Sequence, residues 1–180
     1  WNPEHTPGGS SSGSAVAVAT RMCPVATGSQ TAGSVNRPAA YNGVIGLKPT
    51  YGRVSRWGVF PVSWTLDTLG WFTRSVSDSA AILDAVSGFD PRDPASINLP
   101  PTDSDEMMEA WEEPPAIGIV DGFFEGSAST EVKAETLRVI DVLRSQGATF
   151  ELFALPDSFN SIRDAQLAIE YTECAAVHRE

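Results

Sequence analysis

Two serine-bearing loops hold the residues best suited to chemistry. In the first, Gly8-Gly9-Ser10-Ser11-Ser12-Gly13-Ser14 sets three consecutive hydroxyls behind a glycine pair. In the second, Gly28-Ser29-Gln30-Thr31-Ala32-Gly33-Ser34 runs small residues into Ser34. A serine hydroxyl is a weak nucleophile at neutral pH, so an acyl-transfer site must place a base beside it and aim donors at the oxygen that becomes negative. Bulky side chains do not obstruct the backbone N–H groups of the second loop. A short helix is expected over 34–41, and its N-terminus would favour an oxyanion. Spacing alone leaves two readings of Ser34 open, a nucleophile and a helix N-cap.

Other residues offer less. Lys48 and Lys133 are the two lysines, and both lie downstream of the two loops. Lys48, in Gly46-Leu47-Lys48-Pro49-Thr50, reads as structural or surface. His5 sits in the loop before the glycines and His178 near the end of a helical pattern; neither has a motif around it that fixes a general base, so a Ser-His-Asp triad is not indicated. Cys23 and Cys174 form no CxxC pair and have no histidine-rich neighbour, which speaks against a zinc site and a disulfide scaffold. Asp103, Asp105, Glu106, Glu109, Glu112 and Glu113 have no fixed metal-ligand spacing and read as a solvated acidic face. Trp57, Trp64, Trp71, Phe123 and Phe124 supply aromatic material for either a pocket or a core.

The elements that must position the loops follow from hydrophobic periodicity and punctuation. The small residues of 15–19 predict a tightly packed helix behind the first loop. A short strand is expected at 24–27, with further strands at 44–47 and 59–62. A helix should begin at Ser75 or Ser77 as N-cap, carry Ala80, Leu83 and Val86 on one side, and stop by Gly88. The polar, proline-bounded stretch up to 115 reads as a surface excursion. A strand at 116–120 is followed by the clearest periodic helix, with Val132, Thr136, Val139, Ile140 and Leu143 on one stripe, Ser129 at its start and Gly147 at its end. A strand at 150–153 and a helix opened by Ser161 complete the pattern. Alternating strands and helices with short joints predict an α/β sandwich around a largely parallel or mixed sheet.

Composition bounds the function classes. The 180 residues are 42% hydrophobic, and the 15 Gly and 13 Pro are dispersed, which is ordinary globular material. A net charge of −11 argues against a nucleic-acid partner held by phosphate contacts and against a basic membrane-surface helix. No apolar run reaches the length of a membrane span, and a cytoplasmic setting is expected. The chain opens at Trp1 inside a loop-like sequence and closes at Glu180 inside a helical one, so a piece of a longer polypeptide is expected.

Three ordered motifs then carry a resemblance. Pro7-Gly8-Gly9-Ser10-Ser11-Ser12-Gly13-Ser14-Ala15 comes first, Gly28-Ser29-Gln30-Thr31-Ala32-Gly33-Ser34-Val35-Asn36-Arg37-Pro38-Ala39-Ala40 second, and Asn42-Gly43-Val44-Ile45-Gly46-Leu47-Lys48-Pro49-Thr50 third. Together they closely resemble the signature region of the amidase signature family. Thr65-Leu66-Asp67-Thr68-Leu69-Gly70, Arg74-Ser75-Val76-Ser77-Asp78 and Gly88-Phe89-Asp90-Pro91-Arg92-Asp93 are similar to later parts of it.

The resemblance implies an α/β/α sandwich around a mixed sheet and a Ser–cis-Ser–Lys triad. Ser34 would be the nucleophile and Ser10 the bridging serine, with a cis peptide between Gly9 and Ser10. Ser11 and Gly9 would support them, and the backbone amides of Thr31, Ala32, Gly33 and Ser34 would form the oxyanion hole. No metal or organic cofactor is implied. The implied partner is a small-molecule amide substrate, and a homodimer is expected by analogy with other members. One partial amidase domain would span 1–180, with a signature core over 1–98, the acidic excursion over 99–115 and an α/β continuation over 116–180.

Departures from the family pattern matter. The triad lysine belongs upstream of the first serine loop, where this chain has nine residues and no lysine. Gln30, Ala32 and Asn36 stand where many relatives carry aspartate, glycine and arginine, so an Asp–Arg brace of the loop is expected to give way to neutral hydrogen bonds from Gln30. The leading reading is hydrolysis of a small carboxamide or aryl-amide through an acyl-enzyme on Ser34. A glutaminase-type component of a tRNA-dependent amidotransferase is the alternative within that chemistry. A non-catalytic fragment or pseudoenzyme acting by association is the alternative outside it.

Overall fold

The structure, a computed structural model, describes residues 2–107, 109, 113–120, 122 and 128–179. The sequence expectations that touch Trp1, Glu112, Phe123, Phe124 and Glu180 lie outside the described residues. The chain divides into two units, one formed by Trp1–Met108 with Asp164–Glu180, the other by Glu109–Arg163.

In the first unit, helix α1 (Ser12–Ala19) follows the first serine loop, and strand β1 (Ala26–Gln30) leads into the second. Helix α2 (Asn36–Asn42), strands β2 (Ile45–Leu47) and β3 (Thr68–Thr73), helix α3 (Val76–Val86) and the short α4 (Ser104–Met107) come next. The unit closes with most of helix α6 (Ile162–Val177). β3 is the central strand, antiparallel to both neighbours: Gly28 faces Gly70 on one side, and Gly46 faces Phe72 on the other. The core consists of Ala15, Val18, Val35, Ala39 and Phe72, so α1 and α2 meet over β3. Small residues make that approach possible. A Cβ on Gly46 would lie 2.5 Å from the Ala39 Cβ, and one on Gly28 would meet the Phe72 ring at 2.8 Å and the Ser11 Cβ at 2.9 Å.

In the second unit, β4 (Ala116–Val120) and β5 (Thr149–Phe153) pair in parallel and are joined through α5 (Thr130–Ser145). The Ser129 hydroxyl accepts the Val132 N–H at the start of α5, and Gly147 adopts φ +98° just after its end, so both expected punctuation marks act as such. Ile140 and Leu143 of the expected stripe are half-buried, whereas Val132 and Val139 are exposed.

The two pairings correct the expectation of a largely parallel sheet. Parallel neighbours need a long crossover, usually a helix. Between β2 and β3 there is irregular chain, whereas α5 joins β4 to β5. The expected strand at 59–62 is also absent, since that stretch is a loop. Its partner role falls to β3, whose polar start and central Gly70 hide it from the periodicity. β1 begins two residues later than expected and takes up Gly28, Ser29 and Gln30, which composition assigns to a turn. Ser75, not Ser77, caps α3 by accepting the Asp78 N–H at 3.1 Å. Ser161 ends a 3-10 turn, its hydroxyl donating to the Ser158 carbonyl, and does not cap α6. Among the described residues no helix is long and apolar enough to cross a membrane.

Candidate active site

The two serine loops are joined by Ser11. Its hydroxyl donates to the Ser29 carbonyl and accepts the Ser29 N–H, both at 3.2 Å, and its own N–H donates to the Ser34 carbonyl at 3.3 Å. Ser11 stands at the N-cap of α1 but makes no side-chain cap there, because its hydroxyl is turned to β1. The peptide between Gly9 and Ser10 is cis. The approach to Gly8 is fixed by Asn42, whose amide donates at 2.8 Å to the carbonyls of both Pro7 and Pro38. Gly8 itself sits at φ +84°, and a Cβ there would come within 2.9 Å of the Pro38 Cα.

The loop from Gln30 to Ser34 is braced by its own first residue. The buried Gln30 side chain accepts the N–H groups of Val35 and Asn36, both at 2.9 Å, through one Oε1. It thereby satisfies N-terminal amides of α2 that an N-cap side chain would otherwise take. The helix starts at Asn36, two residues later than expected, and Val35 occupies its N-cap. Ser34 is therefore not the capping residue, which leaves its half-buried hydroxyl without a hydrogen-bond partner among the described residues. The exposed Ser10 hydroxyl likewise has none. Among the described residues, the backbone N–H groups of Thr31, Ala32, Gly33 and Ser34 also meet no protein acceptor, whereas the Gly33 carbonyl accepts the Arg37 N–H at 2.8 Å. Four consecutive unpaired amides beside a free hydroxyl can bind an anion or a developing oxyanion.

Two carboxylates that the sequence did not single out organise the surroundings. Asp67, 9% exposed, accepts the Thr31 hydroxyl at 2.6 Å on Oδ1 and the N–H groups of Val62 and Ser63, at 2.8 and 3.0 Å, on Oδ2. Glu173, buried on α6, accepts the hydroxyls of Ser63 and Thr65, both at 2.5 Å, and the Thr65 N–H at 3.0 Å. Burial pushes the Glu173 carboxyl up, but these hydrogen bonds outweigh it and hold the group below the ordinary glutamate value. The signal for Asp67 was present in Thr65-Leu66-Asp67-Thr68, although no chemistry could be read from it. Glu173 carried none, being one acidic residue on an amphipathic helix.

Arg56 ties the same loop from another side, donating at 2.9 Å to the carbonyls of Trp64 and Asp67 while its guanidinium lies 4.6 Å from the Tyr51 ring centre. Next to it, a cavity of about 300 Å³ is lined by Trp57, Phe60, Val62, Trp64 and Leu69, with Ser29 and Asp67 among its polar residues. Trp57 and Trp64 are thus pocket residues, whereas Trp71 is core, 2% exposed. Lys48 donates to the Pro49 carbonyl at 2.7 Å, and the His178 ring lies 5.2 Å from that of Phe60. Lys133 belongs to α5 of the second unit. Among the described residues no group of three or more His, Cys, Asp or Glu is placed to hold a metal ion.

A free serine hydroxyl beside unpaired backbone amides has the parts that acyl transfer requires. A family model for amidases matches residues 1–180, and the chain belongs to the amidase signature family. It is 45% identical over 147 residues to the A subunit of the glutamyl-tRNA(Gln) amidotransferase of Synechococcus sp. (strain RCC307), covering 82% of this chain and 30% of that protein. Among solved structures, the A subunit of the Thermotoga maritima glutamyl-tRNA(Gln) amidotransferase matches with a TM-score of 0.86 at 32% identity, over 97% of this chain and 38% of the other. The native peptide amidase of Stenotrophomonas maltophilia matches with a TM-score of 0.80 at 36% identity, over 98% and 36%. The chain spans about a third of the length of the curated relatives it matches.

Proposed function

We propose that this chain is the serine-bearing part of an amide hydrolase acting on a small carboxamide or aryl-amide. The observation that carries the reading is the unpaired set at 31–34, in which four amides and the Ser34 hydroxyl are all left without a partner among the described residues, beside the Ser11 tie. In the proposed cycle the Ser34 oxygen attacks the amide carbonyl carbon while its proton passes to Ser10, and the Ser10 proton passes to a neutral lysine. The amides of Thr31, Ala32, Gly33 and Ser34 hold the tetrahedral oxyanion. The C–N bond then breaks, the leaving nitrogen takes a proton back along the same relay, and water hydrolyses the Ser34 ester. The lysine is the one the family carries upstream of the first serine loop, and it is not among these 180 residues. For the full-length fold, the α/β/α sandwich around a mixed sheet remains our reading, supported by the match to the Thermotoga maritima structure.

A second reading has a specific observation behind it. Several curated relatives at 40 to 45% identity are A subunits of glutamyl-tRNA(Gln) amidotransferase. In that case Ser34 would act on glutamine and the ammonia would serve a partner protein. Glutaminase activity that rises on adding a co-purifying partner would favour this reading over a stand-alone amidase.

Labelling of the full-length protein with a fluorophosphonate tests both. Wild-type protein should carry one probe per chain and hydrolyse amides, and Ser34→Ala should do neither. Unlabelled wild-type protein would leave the non-catalytic, associating role.

A further inference from the structure

We propose that Asp67 is a positioning residue for the oxyanion loop, acting through the hydroxyl of Thr31. The inference rests on the reading of Ser34 as nucleophile and of the 31–34 amides as oxyanion donors.

Thr31 is the first residue beyond β1, and Asp67 is the last before β3, while Gln30 and Thr68 are opposed in the register between those strands. The Thr31–Asp67 bond therefore closes the end of the β1–β3 ladder at the point where the chain leaves it for Ser34. It joins a charged acceptor to a hydroxyl at 2.6 Å in a half-buried setting, the kind of bond that is about twice as strong as a neutral one. Threonine is β-branched and stiff at χ1, so anchoring its Oγ1 also fixes its backbone and the peptide that follows. That peptide bears the Ala32 N–H, one of the proposed donors.

The other carboxylate oxygen is occupied by Val62 and Ser63, and the Asp67 carbonyl by Arg56. Asp67 is thus held from three directions and does not follow Thr31; Thr31 follows it. Oxyanion donors contribute most when their position is set before charge develops, and small displacements are costly. This accounts for a buried aspartate in a motif that otherwise supplies no reacting group.

The test uses the full-length protein and compares Asp67→Asn, Thr31→Val, Thr31→Ser, the Asp67→Asn/Thr31→Val pair and Ser34→Ala. Asparagine keeps an oxygen for the Val62 and Ser63 amides while removing the charge from the Thr31 bond. Asp67→Asn and Thr31→Val should each lower kcat by about 10- to 100-fold with KM within about twofold, since a misplaced donor costs less than a deleted one. The pair should lose no more than either alone, and Thr31→Ser should recover most of the rate. Wild-type kcat in Asp67→Asn, or losses that multiply in the pair, would overturn the role. If Asp67→Asn does not fold, Thr31→Val decides by itself: a wild-type kcat there rejects the proposal. Full hydrolysis by Ser34→Ala removes the nucleophile reading and the Asp67 role with it, whereas an inactive Ser34→Ala beside an unimpaired Asp67→Asn removes only the latter.

Discussion

Gln30 shows how a single side chain can decide the geometry of the loop that carries Ser34. One neutral oxygen takes two amide protons of α2, so the helix start is satisfied from outside and Ser34 is freed from capping. Replacing Gln30 with Ala would leave the Val35 and Asn36 N–H groups without that acceptor, the first of them buried. A loss of about 1–3 kcal/mol is expected, read from urea unfolding midpoints at unchanged slope. Gly28 constrains the same region by what it lacks. Gly28→Ala would drive a methyl group into both the Phe72 ring and Ser11, so it should reduce Ser34 labelling by a fluorophosphonate as well as lower the melting temperature. A variant that melts earlier yet labels at the wild-type rate would show that the Ser11 tie tolerates displacement.

At the scale of elements, the loop between β2 and β3 is organised by charge and not by strand pairing. Arg56, Asp67 and Glu173 among them engage backbone or side-chain groups of residues 62–67. Because the Glu173 carboxyl titrates lower in the folded protein than in the unfolded chain, its contribution is fully present above the ordinary glutamate pKa of about 4.3 and is lost as pH falls through the folded value. Glu173→Gln should therefore melt earlier than wild type at pH 7, and the gap between the two should shrink as pH drops below about 4. In the core, Phe72→Ala should cost about 3–5 kcal/mol, because the ring is fully buried against α1 and α2.

These elements also show what sequence could and could not supply. Helices α3 and α5 were legible from a capping serine and a stripe at helical spacing, and β4 from a short apolar run between prolines and glycine. β3 was not, since Thr68, Gly70 and Thr73 break the alternation a strand normally displays, and its identity comes from pairing with both neighbours. The serine loops were legible as motifs. What ties them together, the double use of the Ser11 hydroxyl and the reach of Asp67 to Thr31, depends on segments 18 and 36 residues apart meeting in space.

On the scale of the whole molecule, the serine loops, the aromatic cavity and the carboxylates all belong to the unit formed by Trp1–Met108 and Asp164–Glu180, and the unit Glu109–Arg163 is written between its two parts. Glu173 reaches back across 110 residues of sequence to Ser63 and 108 to Thr65. During synthesis at about 5–20 residues per second, it would be joined to the growing chain roughly 5–20 s after Thr65. Throughout that interval Ser63 and Thr65 have no carboxylate from α6 to bind, although every residue of the serine loops has already been made. A nascent chain stalled before Glu173 should be cut readily by protease within 60–66, and one stalled well after α6 has left the ribosome should resist. Helix α6 thus sets when the stretch around Ser63 and Thr65 becomes secure, after the serine loops have been made.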